Sequence, residues 1–146
     1  MSKLIVDGKD AIFGRLASTV AKDLLKGHSV DIINCELIIV SGDKKLFAKK
    51  VLTKGEMGRG ASMKGPKYPR VADKLVKRMM RGMIPRTKAK GREAFKRLKC
   101  YEGNGPSAPI GVPSGEGKED IKEVKKFEHQ KPMKYSTIKE IVEILK

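Results

Sequence analysis

Residues 3–42 read KLIVDGKDAIFGRLASTVAKDLLKGHSVDIINCELIIVSG, a stretch that combines short apolar runs with one helical pattern. The opening run, Lys3 to Asp7, predicts a short buried strand that ends in a turn at Gly8. From about Gly14 to Lys26 the apolar residues recur at the spacing of one helix face, and Gly27 is well placed to end that helix. A strand followed directly by a helix is typical of the start of an α/β fold.

Two further β-branched runs follow this helix, Ser29 to Asn34 and Leu37 to Val40, and both predict strands. Asp43 to Lys54 predicts a second helix with an acidic residue at its start, where the helix dipole favours negative charge. Strand, helix, strand, strand and helix with short connections indicate an α/β sheet rather than a helical bundle. Because the strands are continuously apolar, we expect both faces of the sheet to be covered.

The length and composition favour one folded domain of the chain's 146 residues, with 39% hydrophobic residues. The longest aliphatic run has four residues, Leu37 to Val40, whereas a membrane-spanning helix needs about twenty. The N-terminus has no apolar export signal, so a reducing compartment is expected. Two cysteines that lie 65 positions apart, Cys35 and Cys100, do not form a disulfide framework.

The positive charge is concentrated in the middle of the chain. Of the formal net charge of +16, residues 1–54 carry +4, residues 55–100 carry +12, and residues 101–146 are neutral. A concentrated block of like charge repels itself unless an anion neutralises it, and nucleic acid is the polyanion with the densest fixed charge. An anionic membrane surface is the rival, but it needs Trp, Phe or Leu beside the cations, and residues 55–70 have none. The charge pattern therefore indicates a nucleic-acid partner.

This basic segment begins with residues 55–70, GEMGRGASMKGPKYPR, which are too rich in glycine and proline for a helix or a strand. Val71 to Met83 then predicts a helix with one apolar side. On its other side, a basic stripe at spacing i, i+3, i+4 and i+7 consists of Lys74, Lys77, Arg78 and Arg81. Tyr68, just before the helix, either stacks on a nucleic-acid base or contacts the helix start. The irregular loop suits folded RNA better than a regular DNA groove.

The remaining elements are short. Pro85 ends the basic helix, and Gly91 to Arg97 forms a second basic piece that leads into a predicted strand at Leu98 to Tyr101. Residues 103–117 are rich in Gly, Pro and Ser and are expected to be irregular. The chain closes with a predicted helix. Thr137 and Glu140 form its capping-box pair, and its apolar face comprises Ile138, Ile141, Val142 and Leu145.

Sequence templates for catalysis are missing from the chain. It has no Walker phosphate loop, no Rossmann glycine pattern, no Gly-x-Ser-x-Gly elbow and no Cys-x-x-Cys pair for zinc. An enzymatic role, a metal site and a cofactor are therefore not expected. Two alternatives remain open: an RNA-modifying or RNA-cleaving enzyme on a Rossmann-like sheet, and a general polyanion binder, such as a DNA-compacting protein.

Several stretches together resemble one protein family. They are Gly14 to Ser18 (GRLAS), Val40 to Gly42 (VSG), Arg78 to Pro85 (RMMRGMIP), and Gly91-Arg92 with Phe95, Arg97 and Leu98 to Gly103. In this order and spacing they resemble the universal large-ribosomal-subunit protein number thirteen family in its archaeal/eukaryotic-type form. The resemblance covers about residues 3–105 and thins beyond them.

The resemblance implies an α/β fold of three layers, α/β/α, with a mostly parallel four-stranded sheet, to which the basic loop and helix and the C-terminal helix are added. It implies a structural, early-assembling ribosomal protein that binds large-subunit ribosomal RNA beside neighbouring large-subunit proteins, in the cytoplasm. It implies no catalysis, no membrane and no small-molecule substrate. It also makes Arg15, Arg78, Arg81 and Arg92 the first candidates for RNA contacts.

We expect residues 1–146 to form a single ribosomal-protein domain. Its α/β core takes up residues 1–54 and about 91–103, its basic RNA-binding loop and helix residues 55–90, and its last loop and helix residues 104–146. The candidate RNA-binding residues are Arg15, Lys44, Lys45, Lys49, Arg59, Lys64, Lys67, Tyr68, Arg70, Lys74, Lys77, Arg78, Arg81, Arg86, Lys88, Lys90, Arg92, Lys96 and Arg97.

Overall fold

The computed structural model describes residues 2–58, 65–103 and 134–146, together with the backbone of residues 122–126. In chain order its elements are β1 (Lys3–Asp7), α1 (Phe13–Leu25), β2 (Ser29–Ile33), a 3₁₀ helix (Cys35–Leu37), β3 (Ile39–Ser41), α2 (Lys44–Glu56), α3 (Ala72–Arg81), α4 (Ala89–Lys96), β4 (Leu98–Cys100), β5 (Lys122–Lys126), β6 (Tyr135–Thr137) and α5 (Ile138–Leu145). None of these helices is long and apolar enough to cross a lipid bilayer.

The main sheet has four strands in the order β4-β2-β1-β5. All three pairings are parallel, since β1 pairs with β2 and β5, and β2 pairs with β4. Parallel neighbours require crossover connections, which α1 provides between β1 and β2. The predicted α/β class with a mostly parallel four-stranded sheet is confirmed.

One predicted strand lies elsewhere. The run from Leu37 to Val40 does not join the main sheet, because its end forms β3, which pairs antiparallel with β6 in a separate two-stranded sheet. The cause is Asn34, whose left-handed backbone (φ 53°) turns the chain out of β2 into the 3₁₀ helix. Asparagine tolerates this conformation better than most residues, and its Nδ2 atom donates to Asp7 Oδ1 at 2.9 Å, which holds the turn.

The fourth strand of the main sheet is β5, for which the sequence gives no signal. Residues 122–126 read KEVKK, so charged residues occupy four of five positions and no apolar run marks a strand. The strand forms at an edge of the sheet beside β1. β6 is likewise not predicted by the sequence pattern, because it is only three residues long.

The strand register sorts the side chains of the main sheet onto two faces. Leu4, Val30 and Leu98 are register partners on one face, and they pack with the helices in one apolar core. On the opposite face Asp31 is buried beside Lys3, with 3.6 Å between Lys3 Nζ and Asp31 Oδ2. The connection from β4 to β5 lies outside the described residues, so the second helical layer stays a prediction.

The apolar core joins the sheet to α1, α3 and α5. Among its fully buried side chains are Leu16, Leu24, Ile32, Leu75, Leu98 and Ile138. Cys35 and Cys100 also belong to it, both as free thiols. A hydrogen bond between these two cysteines and burial raise the pKa of the Cys35 thiol far above its ordinary value.

The helices end close to the predicted positions, with differences at α2 and α3. α1 ends before Gly27, which adopts a positive φ of 106° as expected of a helix-terminating glycine. α2 continues through Glu56, so the irregular segment begins later than Gly55. α3 is shorter than predicted, and Val71 and Met83, which were expected on its apolar side, lie outside it and are each 43% exposed.

The predicted C-terminal helix is confirmed as α5. Its cap is Thr137, whose side-chain oxygen accepts a hydrogen bond from the Glu140 backbone N–H at 3.4 Å. The predicted apolar face is buried against α2, the 3₁₀ helix and α3. α5 therefore holds α2 in place, and α2 borders the basic segment. The predicted irregular loop at residues 103–117 lies outside the described residues except for Gly103.

Candidate nucleic-acid interface

α3 carries the basic stripe on the side opposite its buried face. Ala72, Leu75, Val76 and Met80 are buried in the core. Its first N–H groups need partners outside the helix, and the Ala72 N–H donates to Glu102 Oε1 at 2.9 Å. The helix is thereby anchored beside the end of β4.

Two cations of the stripe lie over aromatic rings. The Arg78 guanidinium carbon is 4.1 Å from the centroid of the Tyr68 ring, and Lys77 Nζ is 5.7 Å from that of Phe95. Cation–π contacts of this kind restrict the side chains without neutralising them. Arg78 thus keeps its positive charge and the hydrogen-bonding edge of its guanidinium, in a fixed orientation.

Tyr68 lies between the apolar core and the Arg78 side chain. Its ring is half-buried and packs against the apolar core, and Arg78 covers part of it. Tyr68 was predicted either to stack on a base or to contact the start of α3; the contact in the structure is instead with Arg78, in the second half of the helix. Lys74 is exposed, while Lys77, Arg78 and Arg81 are half-buried.

A groove of about 470 Å³ lies beside the stripe, between α1, α2 and α3. Tyr68, Arg78 and Arg81 line it from the α3 side. The groove residues on the other side are not among the predicted contacts; they are Phe13, Phe47, Lys50, Val51 and Lys54. A signal was present, since Phe47, Lys50, Val51 and Lys54 follow the i, i+3, i+4, i+7 spacing of one face of α2.

A second groove of about 410 Å³ adjoins the first, with Tyr68 lining both. Lys67 and Arg70 lie on its rim, and Leu145 of α5 contributes to its wall. The described part of the irregular segment therefore places two more predicted cations next to the stripe. Arg59 and Lys64, also predicted contacts, lie outside the described residues.

α4 presents a further group of predicted cations. It packs against the turn at Pro85 so closely that a Cβ atom at Gly91 would overlap the Pro85 carbonyl oxygen. The contact of Lys77 with Phe95 ties α4 to α3. The predicted cations of this region, all exposed, are Arg86, Lys88, Lys90, Arg92 and Lys96.

The candidate interface therefore comprises the cations of α3, of α4 and of the residues before α3, with the Tyr68 and Phe95 rings beneath two of them. Its chemistry suits phosphates and bases together, because the cations attract phosphates and the rings offer flat apolar faces. No cluster of metal-ligating side chains occurs within residues 2–58, 65–103 and 134–146.

Comparison with known proteins gives the family. The model of the family described as ribosomal protein L13 matches residues 2–107, more than half of the chain. The chain belongs to the ribosomal protein L13 family. The ribosomal protein L13 family is structural rather than enzymatic, so the enzyme among the alternatives is set aside.

Archaeal proteins are among the curated relatives, in keeping with the expected form of the family. Large ribosomal subunit protein uL13 of Methanocaldococcus jannaschii is 43% identical over 102 residues, covering 68% of this chain and 74% of the relative. The Methanopyrus kandleri protein of that name is 46% identical over 99 residues, covering 68% of this chain and 61% of the relative. The Methanococcus maripaludis protein is 37% identical over 124 residues, covering 83% of this chain and 90% of the relative.

The ribosomal protein L13 match spans all of the candidate cations but not α5. The remaining predicted contacts stand apart from the α3–α4 surface in the chain. Arg15 is exposed on α1, and Lys45 and Lys49 are exposed on α2. Lys44 Nζ lies 3.3 Å from Glu140 Oε2, an ion pair between α2 and α5.

Arg97, a predicted RNA contact, makes a hydrogen bond within the ribosomal protein L13 fold. Its Nη2 atom donates to the Leu24 carbonyl at 2.9 Å, so the guanidinium partners the C-terminal end of α1. Its Nε atom is buried with no hydrogen-bond partner among the described residues. Part of the Arg97 side chain thus contributes to packing α1 onto the segment between α4 and β4.

Proposed function

We propose that this chain is a structural constituent of the large ribosomal subunit that binds and organises large-subunit ribosomal RNA during assembly. The observation that carries the proposal is the basic stripe of α3, with aromatic rings under two of its cations and the contact of Lys77 with Phe95 linking it to α4, on a ribosomal protein L13 fold. The relatives are named as large ribosomal subunit proteins. The chain acts in the cytoplasm, in the ribosome, next to other large-subunit proteins, and it uses no cofactor.

The lysines and arginines of the interface bind RNA in different ways. Exposed lysines such as Lys74 and Lys96 act as point charges for phosphates. Arg78 and Arg81 border the groove, where a guanidinium can bind a phosphate with two hydrogen bonds. The remaining candidates, including Arg15 and Lys49, contact RNA strands that pass the outer surfaces of α1 and α2.

A stripe variant tests the proposal. Lys74, Lys77, Arg78 and Arg81 are replaced together by Ala, and binding to protein-free large-subunit ribosomal RNA is measured over a range of salt concentrations. We expect a lower affinity and a slope of log K against log salt that is flatter by about one unit per lost phosphate contact. The fold should persist, because the replaced side chains lie outside the apolar core.

The matched control removes the same charge elsewhere, at the exposed residues Lys9, Lys22, Lys139 and Lys146. A surface-specific interface predicts near-wild-type binding for this control. If both quadruple variants bind equally weakly, the chain acts as a general polyanion binder governed by net charge. If neither variant changes affinity or slope, the α3 stripe is not the contact surface.

A further inference from the structure

We propose that the groove between α1, α2 and α3 takes a single unstacked nucleobase of the ribosomal RNA, while the rim cations bind the flanking phosphates. This inference rests on the proposed function and names the chemical group that its central groove would hold. The groove is distinct from the exposed stripe in that it is concave and lined mainly by apolar side chains. A volume of about 470 Å³ falls within the range of about 300–1,000 Å³ typical of small-molecule sites.

The aromatic lining comes from three separate parts of the chain. Phe13 is the first residue of α1, Phe47 lies in α2, and Tyr68 precedes α3. Each ring is half-buried, packed against the core on one side and facing the groove with part of its surface. The Phe13 and Phe47 rings can stack on a base regardless of its identity, because every base has a π face. Arg78 lies over the Tyr68 ring, so Tyr68 supports the guanidinium.

The rim of the groove supplies the matching charge. Lys50 and Lys54 stand on the α2 side, and Arg78 and Arg81 on the α3 side. No carboxylate is found among the described residues that line the groove. Cations on both sides of an apolar slot complement a nucleotide, whose base is flat and apolar on its faces and whose phosphates are anionic. An apolar protein side chain in the groove would give these four cations no anionic partner.

Arg78 links the two halves of the proposed site. Its guanidinium is already stacked on Tyr68, at 4.1 Å from the ring centroid, and it lines the groove. A guanidinium plane can itself stack on a base. This side of the site is therefore organised before RNA binds, because the Arg78 guanidinium is already held in place by its stacking on Tyr68.

The test uses Phe47→Leu, which removes the aromatic face but retains an apolar side chain in the same place. Binding of the full chain to protein-free large-subunit ribosomal RNA is measured at several salt concentrations. We expect about ten-fold weaker binding with an unchanged salt slope, because stacking involves no counterion release. Lys50→Ala with Lys54→Ala should instead flatten the slope by about one unit per phosphate contact.

Two further variants serve as matched controls. Leu46→Ala removes an apolar side chain from the same helix at a position that is 56% exposed and outside the groove, and it should bind as the wild type. Phe47→Tyr keeps an aromatic ring and should also retain binding. Equal binding by Phe47→Leu and the wild type would overturn the base site while leaving the proposed function intact. Failure of the wild type to bind this RNA selectively would instead overturn the proposed function.

A second measurement does not depend on the folding of any variant. Intact large subunits that contain the chain are irradiated with ultraviolet light, and nucleotide adducts on its peptides are mapped by mass spectrometry. We expect an adduct at Phe13, Phe47 or Tyr68. Adducts on the stripe without any at these three rings, or a crosslink from the groove to another protein, would overturn the proposal.

Discussion

Gly91 shows how one residue sets the position of α4, a helix of the candidate interface. It is buried in α4, and a side chain there would overlap the Pro85 carbonyl oxygen. The close approach brings α4 against the turn that follows α3, and it is possible only without a Cβ atom. The cations of α4 owe their place on the candidate interface to this contact.

Replacement of Gly91 by Ala should therefore destabilise the fold by about 1–3 kcal/mol, since the backbone at Pro85 must move. The free energy of unfolding can be measured by urea denaturation. Gly14→Ala is the matched control, because Gly14 lies in α1 with open space around it. There a helix-favouring Ala should stabilise by up to about 1 kcal/mol. Equal effects of the two changes would contradict the packing described at Gly91.

Residue-level chemistry was only partly predictable from the sequence. The stripe was found because four cations share one helix face, and helical spacing is local. The rings under Arg78 and Lys77 were not found as its partners, because Phe95 belongs to another helix and Tyr68 precedes α3. The contact between Cys35 and Cys100 joins positions 65 apart in the chain, which no local pattern reveals.

At the scale of elements, α5 is the clearest case in which local and tertiary signals agree. Its Thr137 cap and its apolar spacing are both visible in the sequence, and both are realised in the structure. Of the predicted capping-box pair, only the Thr137 half is shown, because the Glu140 carboxylate pairs with Lys44. Its apolar face is buried mainly against α2, which carries one wall of the groove. The C-terminal helix therefore supports the candidate site without contributing a cation to the α3–α4 surface.

Two isoleucines of α5 test this support. Ile141 is fully buried, whereas Ile144 is 42% exposed on the same helix. Ile141→Ala should lower the free energy of unfolding by about 2–5 kcal/mol, because it removes apolar contacts and leaves a cavity. Ile144→Ala should lower it by less than about 1 kcal/mol. Thermal or urea unfolding distinguishes the two, and similar losses would argue against the docking of α5 by its Ile141 face.

The strands were harder to predict than the helices. β1 and β2 are apolar runs, and their pattern is local. β3 and β6 are three residues each, and they form because Asn34 redirects the chain and because a distant segment pairs with it. β5 is mostly charged and depends on β1 as its neighbour. Strand pairing of this kind depends on tertiary context, which the hydrophobic periodicity of the sequence does not reveal.

On the scale of the whole molecule, the fold concentrates the charge that the sequence had already grouped. Residues 55–100 carry +12 of the +16, and their described part forms α3, α4, β4 and the end of α2. These helices pack against the apolar core that the sheet and α1 form. The ribosomal protein L13 family assignment was accessible from the sequence motifs, whereas the groove emerges only where α1, α2 and α3 meet in the structure.

The most direct test of the central claim is ultraviolet crosslinking of the chain to RNA in cell lysate, followed by sequencing of the attached fragments and mapping of the crosslinked residues. The account predicts crosslinks in one region of large-subunit ribosomal RNA, formed through residues 55–97. Crosslinks scattered over many transcripts, or found on DNA, would contradict it and identify the basic segment as a general polyanion binder.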